Sequence, residues 1–296
     1  MGSYWYGLRT IGTEMNVLSL FDGMSCGQIA LNKLGIEDYT YYASEINSYA
    51  LTVTNANYPN TIQLGDVRSL STEDLPEVDL LLAGSPCQGF SYAGKQLNFQ
   101  DERSILFFDF VRILNECRPK YFLLENVRMR KQYQDIISSY LGVEPIEINS
   151  SLVSAQLRKR LYWTNIPGIV QPQDKNICIN DILDIPFNSN LIKISTTDQV
   201  NPSTKCNGQQ PYMQDRVFHA RGKTHSLTAS FASRTNIGLN PPSTWRRITP
   251  SEAEKLQTVP LGYTNHVSNY QRFKMLGNGW TIDVISHILK DIDQLC

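Results

Sequence analysis

At 296 residues the chain has room for one large domain, or one large and one small, and for a core that needs no disulfide or metal staple. Hydrophobic residues make up 41% and charged residues 19%, the balance of a soluble globular protein rather than a disordered one. A formal net charge of −1 excludes a chain drawn to polyanions by its overall charge, and the lack of an eighteen-residue apolar run excludes a helical membrane span.

Residues 1–15 lack the apolar stretch of a secretory signal and read as an N-terminal arm, native or added, with Met15 an equally good start. Asn16–Phe21 then reads as a strand, followed by a turn bearing Gly23 and Gly27 and by a helix to about Leu34. Tyr39–Ser44 is a second strand with Glu45 at its tip, and Val78–Ala83 a third, leading into the turn GSPCQG. Helical patterns over Ser104–Asn115 and Lys131–Leu141 flank a strand at Tyr121–Leu124, which ends at Glu125. Short apolar runs alternating with helices predict an α/β body over 16–169, a mostly parallel sheet with helices on both faces. Ligands of such sheets bind beyond the carboxyl ends of the strands, where these polar residues stand. Residues 170–245, rich in Asn, Ser, Thr, Gln and Pro over 186–211, read as a small irregular or β-rich second domain. Helices at Pro250–Gln257 and Thr281–Lys290 return the segment 246–296 to the body.

Charge is unevenly spread. Between Lys205 and Arg247 seven basic residues face one acid, Asp215, so this stretch carries +6 and the rest −7. Such a segment either meets a polyanion or is simply a solvated face. Six cysteines, at 26, 87, 117, 178, 206 and 296, show no C-x-x-C pairing, no disulfide framework and no zinc spacing, so reduced thiols of a cytoplasmic protein without a metal are expected.

Four spots carry candidate chemistry. The turn after Phe21 allows a ligand close to the backbone, and Glu45, twenty-two residues beyond Gly23, is placed to accept ribose hydroxyls. No G-x-G-x-x-G is present to cradle a pyrophosphate, which suits a nucleoside cofactor without one, such as S-adenosylmethionine. In Gly84-Ser85-Pro86-Cys87-Gln88 a cysteine follows a proline-stiffened corner. It is either an activated nucleophile or a buried structural thiol. Glu125, closing an apolar strand, is either a partly desolvated proton donor or a helix cap. In Gln156-Leu157-Arg158-Lys159-Arg160, extended chain puts Gln156, Arg158 and Arg160 on one face, where two guanidiniums grip phosphate or a base carbonyl or form a solvated basic edge.

Taken together and in this order, the elements resemble the DNA cytosine-5 methyltransferase family, from about Asn16 to Leu289. The resemblance is carried by FDGMSCG, Glu45, GDV at 65–67, GSPCQGFS at 84–91, ENV at 125–127, QLRKR at 156–160, RRITPSEAEKLQ at 246–257 and GNGWTIDVI at 277–285. LSLFDG, GDVRS, HVSN at 266–269 and Trp280 look like the animal de novo branch. PCQ departs from that branch's PCN, and the resemblance overall is to a compact prokaryotic or phage enzyme.

The resemblance implies a Rossmann-like fold that uses S-adenosylmethionine, and a target-recognition domain at 170–245. Cys87 would attack carbon 6 of a cytosine flipped from double-stranded DNA, Glu125 would hold and protonate N3, and Arg160, with Arg158 nearby, would contact O2. Phe21, Asp22, Gly23, Glu45, Ile46, Asp66, Val67, Ser85, Leu106, Asn278 and Trp280 would line the cofactor site. Gln88 and Ser91, on a loop over 88–103 anchored by Arg103, and Arg216, Arg221, Lys223, Thr228 and Arg234 would contact DNA. A cognate restriction endonuclease is a possible partner. Three rivals stand beside this reading: the tRNA-methylating branch, whose Cys-Phe-Thr element is missing here; a dead DNA-binding relative, which would have lost Cys87 or Glu125; and a nucleotide-binding oxidoreductase, which would need the absent pyrophosphate loop.

Overall fold

A computed structural model describes residues 14–85, 102–187, 192–199, 216–230, 235–239 and 245–295, with the backbone alone for 102–105. The body begins with β1 (Met15–Leu20), α1 (Cys26–Lys33), β2 (Tyr39–Ser44), α2 (Ser48–Asn57), β3 (Ile62–Gln63), β4 (Leu80–Ala83), α3 (Glu102–Cys117) and β5 (Tyr121–Val127). It continues through α4 (Lys131–Leu141), β6 (Ile146–Asn149), β7 (Gln156–Leu157), β8 (Lys159–Thr164) and α5 (Ile179–Ile182). Short strands follow, β9 (Val217–His219), β10 (Thr224–His225), β11 (Asn236–Gly238) and β12 (Arg246–Arg247). The chain ends in α6 (Pro250–Leu256), α7 (Asn269–Asn278), α8 (Ile282–Ile288) and α9 (Ile292–Leu295).

The main sheet has the order β3-β2-β1-β4-β5-β8-β6. The β1–β2, β2–β3, β1–β4 and β4–β5 pairs are parallel, and β8 runs antiparallel to both β5 and β6. The strands are apolar on both faces, as a sheet covered on both sides requires. Val17, Leu80, Leu82 and Leu123 turn toward α1, α6, α7 and α8, while Leu18, Leu20, Leu81 and Leu124 turn toward α3 and α4. The chain leaves β1 toward β2 and β3, then crosses back to β4. The tips of β1 and β4 therefore border the crevice where the strand order reverses.

The mostly parallel α/β body expected from the sequence is present, with three differences. The strand at Tyr121 runs through Glu125 to Val127, because β8 pairs with that end antiparallel. Four helices, α2, α5, α7 and α9, lie where no helix was expected. The run 156–160 is not one strand: β7 pairs with β10, β8 joins the main sheet, and Arg158 stands between them.

The segment after 170 contributes β9, β11 and β12 as a small sheet of order β12-β11-β9. Its last strand, Arg246–Arg247, lies just past the expected boundary at 245. Phe218, Leu227 and Ile237 join the same apolar cluster as α6, α7 and α8, so this segment is cored on the body. No helix among the described residues is long and apolar enough to cross a membrane.

Candidate active site

A cavity of about 350 Å³ opens at the strand-order reversal. Its floor is the turn between β1 and α1. Phe21, Gly23 and Ser25 alternate in left-handed backbone at φ 56°, 58° and 62°, which folds the chain back within five residues. Two of the three are not glycine, and strained backbone of this kind clusters at ligand clamps. The turn is fixed by two carboxylates. Asp22 accepts from Tyr41 Oη at 2.8 Å and from Ser25 Oγ at 2.7 Å, and burial raises its pKa to about 6. Glu45, at the tip of β2, accepts from the backbone N–H of Gly23 (2.7 Å), Ile46 (2.8 Å) and Asn47 (2.7 Å). A carboxylate has about four acceptor sites, so these three bonds lock its orientation and leave about one for an incoming hydroxyl.

The far end of the cavity is built by β5 and β8. Glu125 is registered opposite Tyr162, and Arg160 lies two residues further along β8, on the same face. The diagonal offset brings Arg160 Nε to 3.0 Å from Glu125 Oε1. Trp280, from the connection between α7 and α8, donates its indole N–H to Glu125 Oε2 at 3.2 Å. The indole lies across the tip of β4. A Cβ on Gly84 would come within 2.9 Å of Trp280 Nε1, so the approach requires glycine there. Ser85 follows, its Oγ accepting from Asn126 Nδ2 at 3.2 Å.

Arg158 is 2% exposed, and its guanidinium does not grip an anion. It donates to the carbonyls of Leu227 (2.6 Å), Gly279 (2.8 Å) and Gly277 (3.3 Å) and to Ser226 Oγ (3.1 Å). Gly277 and Gly279 bracket Asn278, so this side chain ties the cavity wall to the small-sheet segment and borders the cavity without pointing a free cation into it. Gln156 adds to the same seam, donating to the Leu256 carbonyl at 2.7 Å and accepting from Leu227 N at 3.2 Å.

Of the residues expected from the sequence, Phe21, Asp22, Gly23, Glu45, Ser85, Glu125, Arg158, Arg160, Asn278 and Trp280 all line this one cavity. Ile46, Asp66, Val67 and Leu106 do not line it. Ile46 is exposed next to Glu45, Val67 and Leu106 pack on the α3 side of the sheet, and Asp66 binds Arg68, which holds its carboxyl below the usual range. Cys87, Gln88, Ser91 and Arg234 lie outside the described residues, as does the side chain of Arg103.

The expectation that Lys223 contacts DNA is corrected. Its ammonium is 1% exposed and donates to the carbonyls of Ser151 (2.8 Å), Ser154 (3.0 Å) and Ile177 (2.5 Å), a buried tie rather than a phosphate ligand. Arg221 pairs with Asp198 at 2.7 Å and is partly exposed, as is Arg216. Thr228 packs its backbone against Gly277, and its buried hydroxyl has no hydrogen-bond partner among the described residues.

Sequence reasoning missed Cys26, Asn47, Ala50, Gln271, Lys274 and Met275, which also border the cavity. Gln271, Lys274 and Asn278 fall at helical spacing, a signal hidden because α7 was not recognised. Cys26 is a thiol bordering the cavity, but burial pushes its pKa up to about 12. Roughly one molecule in 10⁵ would carry it as thiolate at neutral pH.

The profile of the C-5 cytosine-specific DNA methylase family matches residues 15–141 and 146–294. The Type II methyltransferase M.HhaI of Haemophilus parahaemolyticus is 26% identical over 317 residues, covering 95% of this chain and 94% of its own. M1.ScrFI of Lactococcus lactis subsp. cremoris is 30% identical over 283 residues, covering 83% and 70%. Among solved structures, the Entamoeba histolytica methyltransferase EhMeth superposes with a TM-score of 0.72 at 16% identity, covering 95% of this chain and 99% of its own, which shows the shared fold. With the family profile running over nearly the whole chain, the protein belongs to the C-5 cytosine-specific DNA methylases and is a DNA cytosine-5 methyltransferase.

Proposed function

We propose that the enzyme transfers a methyl group from S-adenosylmethionine to carbon 5 of a cytosine flipped out of duplex DNA, through a covalent bond between Cys87 and carbon 6. The observation that carries this reading is the pairing, in one cavity, of an oriented acid with a ribose-type carboxylate. Glu125 is held by Arg160 and Trp280 at one end, and Glu45 is locked by three backbone N–H groups at the other.

The residues present fit the cofactor. Two carboxylates, Asp22 and Glu45, favour a cation with ribose hydroxyls, and Phe21 offers a ring beside them. Phe21, Asp22, Gly23, Glu45, Ser85, Asn278 and Trp280 would hold it. When bound, S-adenosylmethionine supplies the electrophilic methyl group that carbon 5 takes up.

The protein's own part is to make carbon 5 nucleophilic. Cys87, two residues beyond cavity-lining Ser85, adds as thiolate to carbon 6, and cytosine must leave the stack for this, at about a few kcal/mol. Glu125 gives a proton to N3 as the bond forms, and Arg160 stabilises charge developing at O2. Transfer of the carbon 5 proton to a base, expulsion of the thiolate and return of the N3 proton to Glu125 then restore the ring. The burial of Cys26 supports Cys87 as the nucleophile, since the other thiol at the cavity stays protonated. Arg216, Arg221 and Thr228 remain candidates for DNA contact, together with Gln88, Ser91 and Arg234. The Type II names of the relatives favour a cognate restriction endonuclease as partner.

Duplex DNA carrying 5-fluorocytosine, incubated with labelled methyl donor, tests the mechanism, because fluorine blocks the final elimination. A covalent protein–DNA adduct is expected, and Cys87→Ala should abolish it. An adduct that persists in Cys87→Ala refutes the nucleophile, and methyl transfer to tRNA but not to DNA refutes the substrate.

A further inference from the structure

We propose that Trp280 is a positioning residue for the catalytic acid: its indole N–H fixes the Glu125 carboxyl and joins the methyl-donor wall to the proton donor as one unit. The inference rests on the reading of Glu125 as the acid that protonates N3.

Glu125 sits near the end of a strand, and an ion pair and a hydrogen bond from separate parts of the chain constrain its carboxyl. Arg160 pairs with Oε1 from β8, and Trp280 donates to Oε2 from the connection between α7 and α8. The ion pair alone would leave the carboxyl free to swing about it, whereas a hydrogen bond to the other oxygen sets its plane. Trp280 is in turn confined. It is 8% exposed, it packs against Gly84 with no room for a side chain, and its neighbour Gly279 is held by Arg158 and by Gln257 Nε2 at 3.2 Å. A phenylalanine in its place could still wall the cavity but could not donate to Glu125. The donor, rather than the aromatic ring, is therefore what this position supplies to the acid.

The test is the single-turnover rate of covalent adduct formation on 5-fluorocytosine duplex with saturating S-adenosylmethionine. Two replacements at position 280 remove the donor. One is Trp280→Phe. The other is the benzothienyl analogue of tryptophan, which puts sulfur in place of the N–H at the same shape and guards against misfolding of the first. Both should bind S-adenosylhomocysteine within about threefold of wild type and form adduct about tenfold more slowly, as expected for one lost hydrogen bond. In a Glu125→Gln background the same replacements should change the residual rate by less than about twofold, because the partner is already altered. Equal losses in both backgrounds, or no loss from the isosteric analogue, would overturn the role of Trp280. A Glu125→Gln enzyme that forms adduct at the wild-type rate would instead overturn the assignment of Glu125 as the acid, and the inference with it.

Discussion

Replacing Arg158 by methionine keeps an unbranched apolar stem and removes every N–H donor of the guanidinium. The Gly277 carbonyl then loses its side-chain partner, while the Leu227 carbonyl keeps Ser226 Oγ at 3.2 Å and the Gly279 carbonyl keeps Gln257 Nε2 at 3.2 Å. A buried acceptor left bare costs about 1–3 kcal/mol and each of the two other lost hydrogen bonds about 0.5–1.5 kcal/mol, roughly 2–6 kcal/mol together. Relief of the buried cation's own desolvation offsets part of this, and water entering from the cavity offsets more, leaving about 2 kcal/mol. For a chain of this size that is a fall in Tm of roughly 4–8 °C, measurable by thermal denaturation. Because Gly277 and Gly279 flank Asn278, affinity for S-adenosylhomocysteine should fall about tenfold in the same variant, measured by calorimetry. An Arg158→Met enzyme that melts within about 2 °C of wild type, binds S-adenosylhomocysteine normally and yet fails to methylate would refute this reasoning. It would place the guanidinium on the reacting base instead of in the cavity wall.

Other outcomes follow from the same geometry. Gly277→Ala would drive a Cβ to 2.3 Å from the Thr228 carbonyl carbon, so a loss of about 1–3 kcal/mol or more is expected in urea unfolding, together with weaker DNA binding. Arg272→Met leaves Glu254, which is 0% exposed and 3.2 Å from the guanidinium, without its counter-charge, and should cost about 3–5 kcal/mol in the same assay. Asp22 keeps its proton up to about pH 6 when folded but only to about 3.8 when unfolded, so the folded state binds more protons between those values. Its contribution to stability should therefore fall by about 3 kcal/mol as pH rises from 4 to 6 and stay flat above, and a Tm difference between wild type and Asp22→Asn that ignores pH would contradict this. Lys223→Met should lower Tm and leave the salt dependence of DNA affinity unchanged, whereas loss of a phosphate contact would reduce that slope by about 1.

The parts legible in the sequence were those in which local pattern and burial agree. Strands β1, β2 and β4 are short apolar runs buried on both faces, and each delivers a polar residue to the cavity just past its tip, where Phe21, Asp22, Glu45 and Ser85 were expected. Helix α2, SYALTVTNAN, was not legible because it buries only Ala50, Val53 and Thr54, and its interior is rich in β-branched residues. It is held instead by Asn47, whose side chain caps the N–H of Tyr49 and Ala50. Helix α7 was obscured by a buried arginine: Arg272 breaks the apolar stripe in sequence yet is satisfied in the fold by Glu254 and Thr264. Lys223 misled for the same reason. A basic residue in a basic segment suggests an anion, and no local pattern reveals three backbone carbonyls supplied from residues 151–177.

The cavity is electrostatically divided, and the division suits the proposed chemistry. Its near end holds Asp22 and Glu45 against a turn of strained backbone, an environment that favours a ligand bearing positive charge. At its far end Arg160 pairs with Glu125, the arrangement needed where a neutral base acquires negative charge and then a proton. If the two ends were independent, each would need its own scaffold to keep reacting atoms in register. Here the boundary is Trp280, which borders the cavity beside Gly84 and binds Glu125 through its N–H, and Arg158 secures the glycines on either side of Asn278 just before it. A shift in the α7–α8 connection must therefore move the methyl-donor wall and the acid together. Under the proposed chemistry that coupling accounts for a buried arginine that binds only carbonyls and a hydroxyl standing two residues from one that pairs with Glu125.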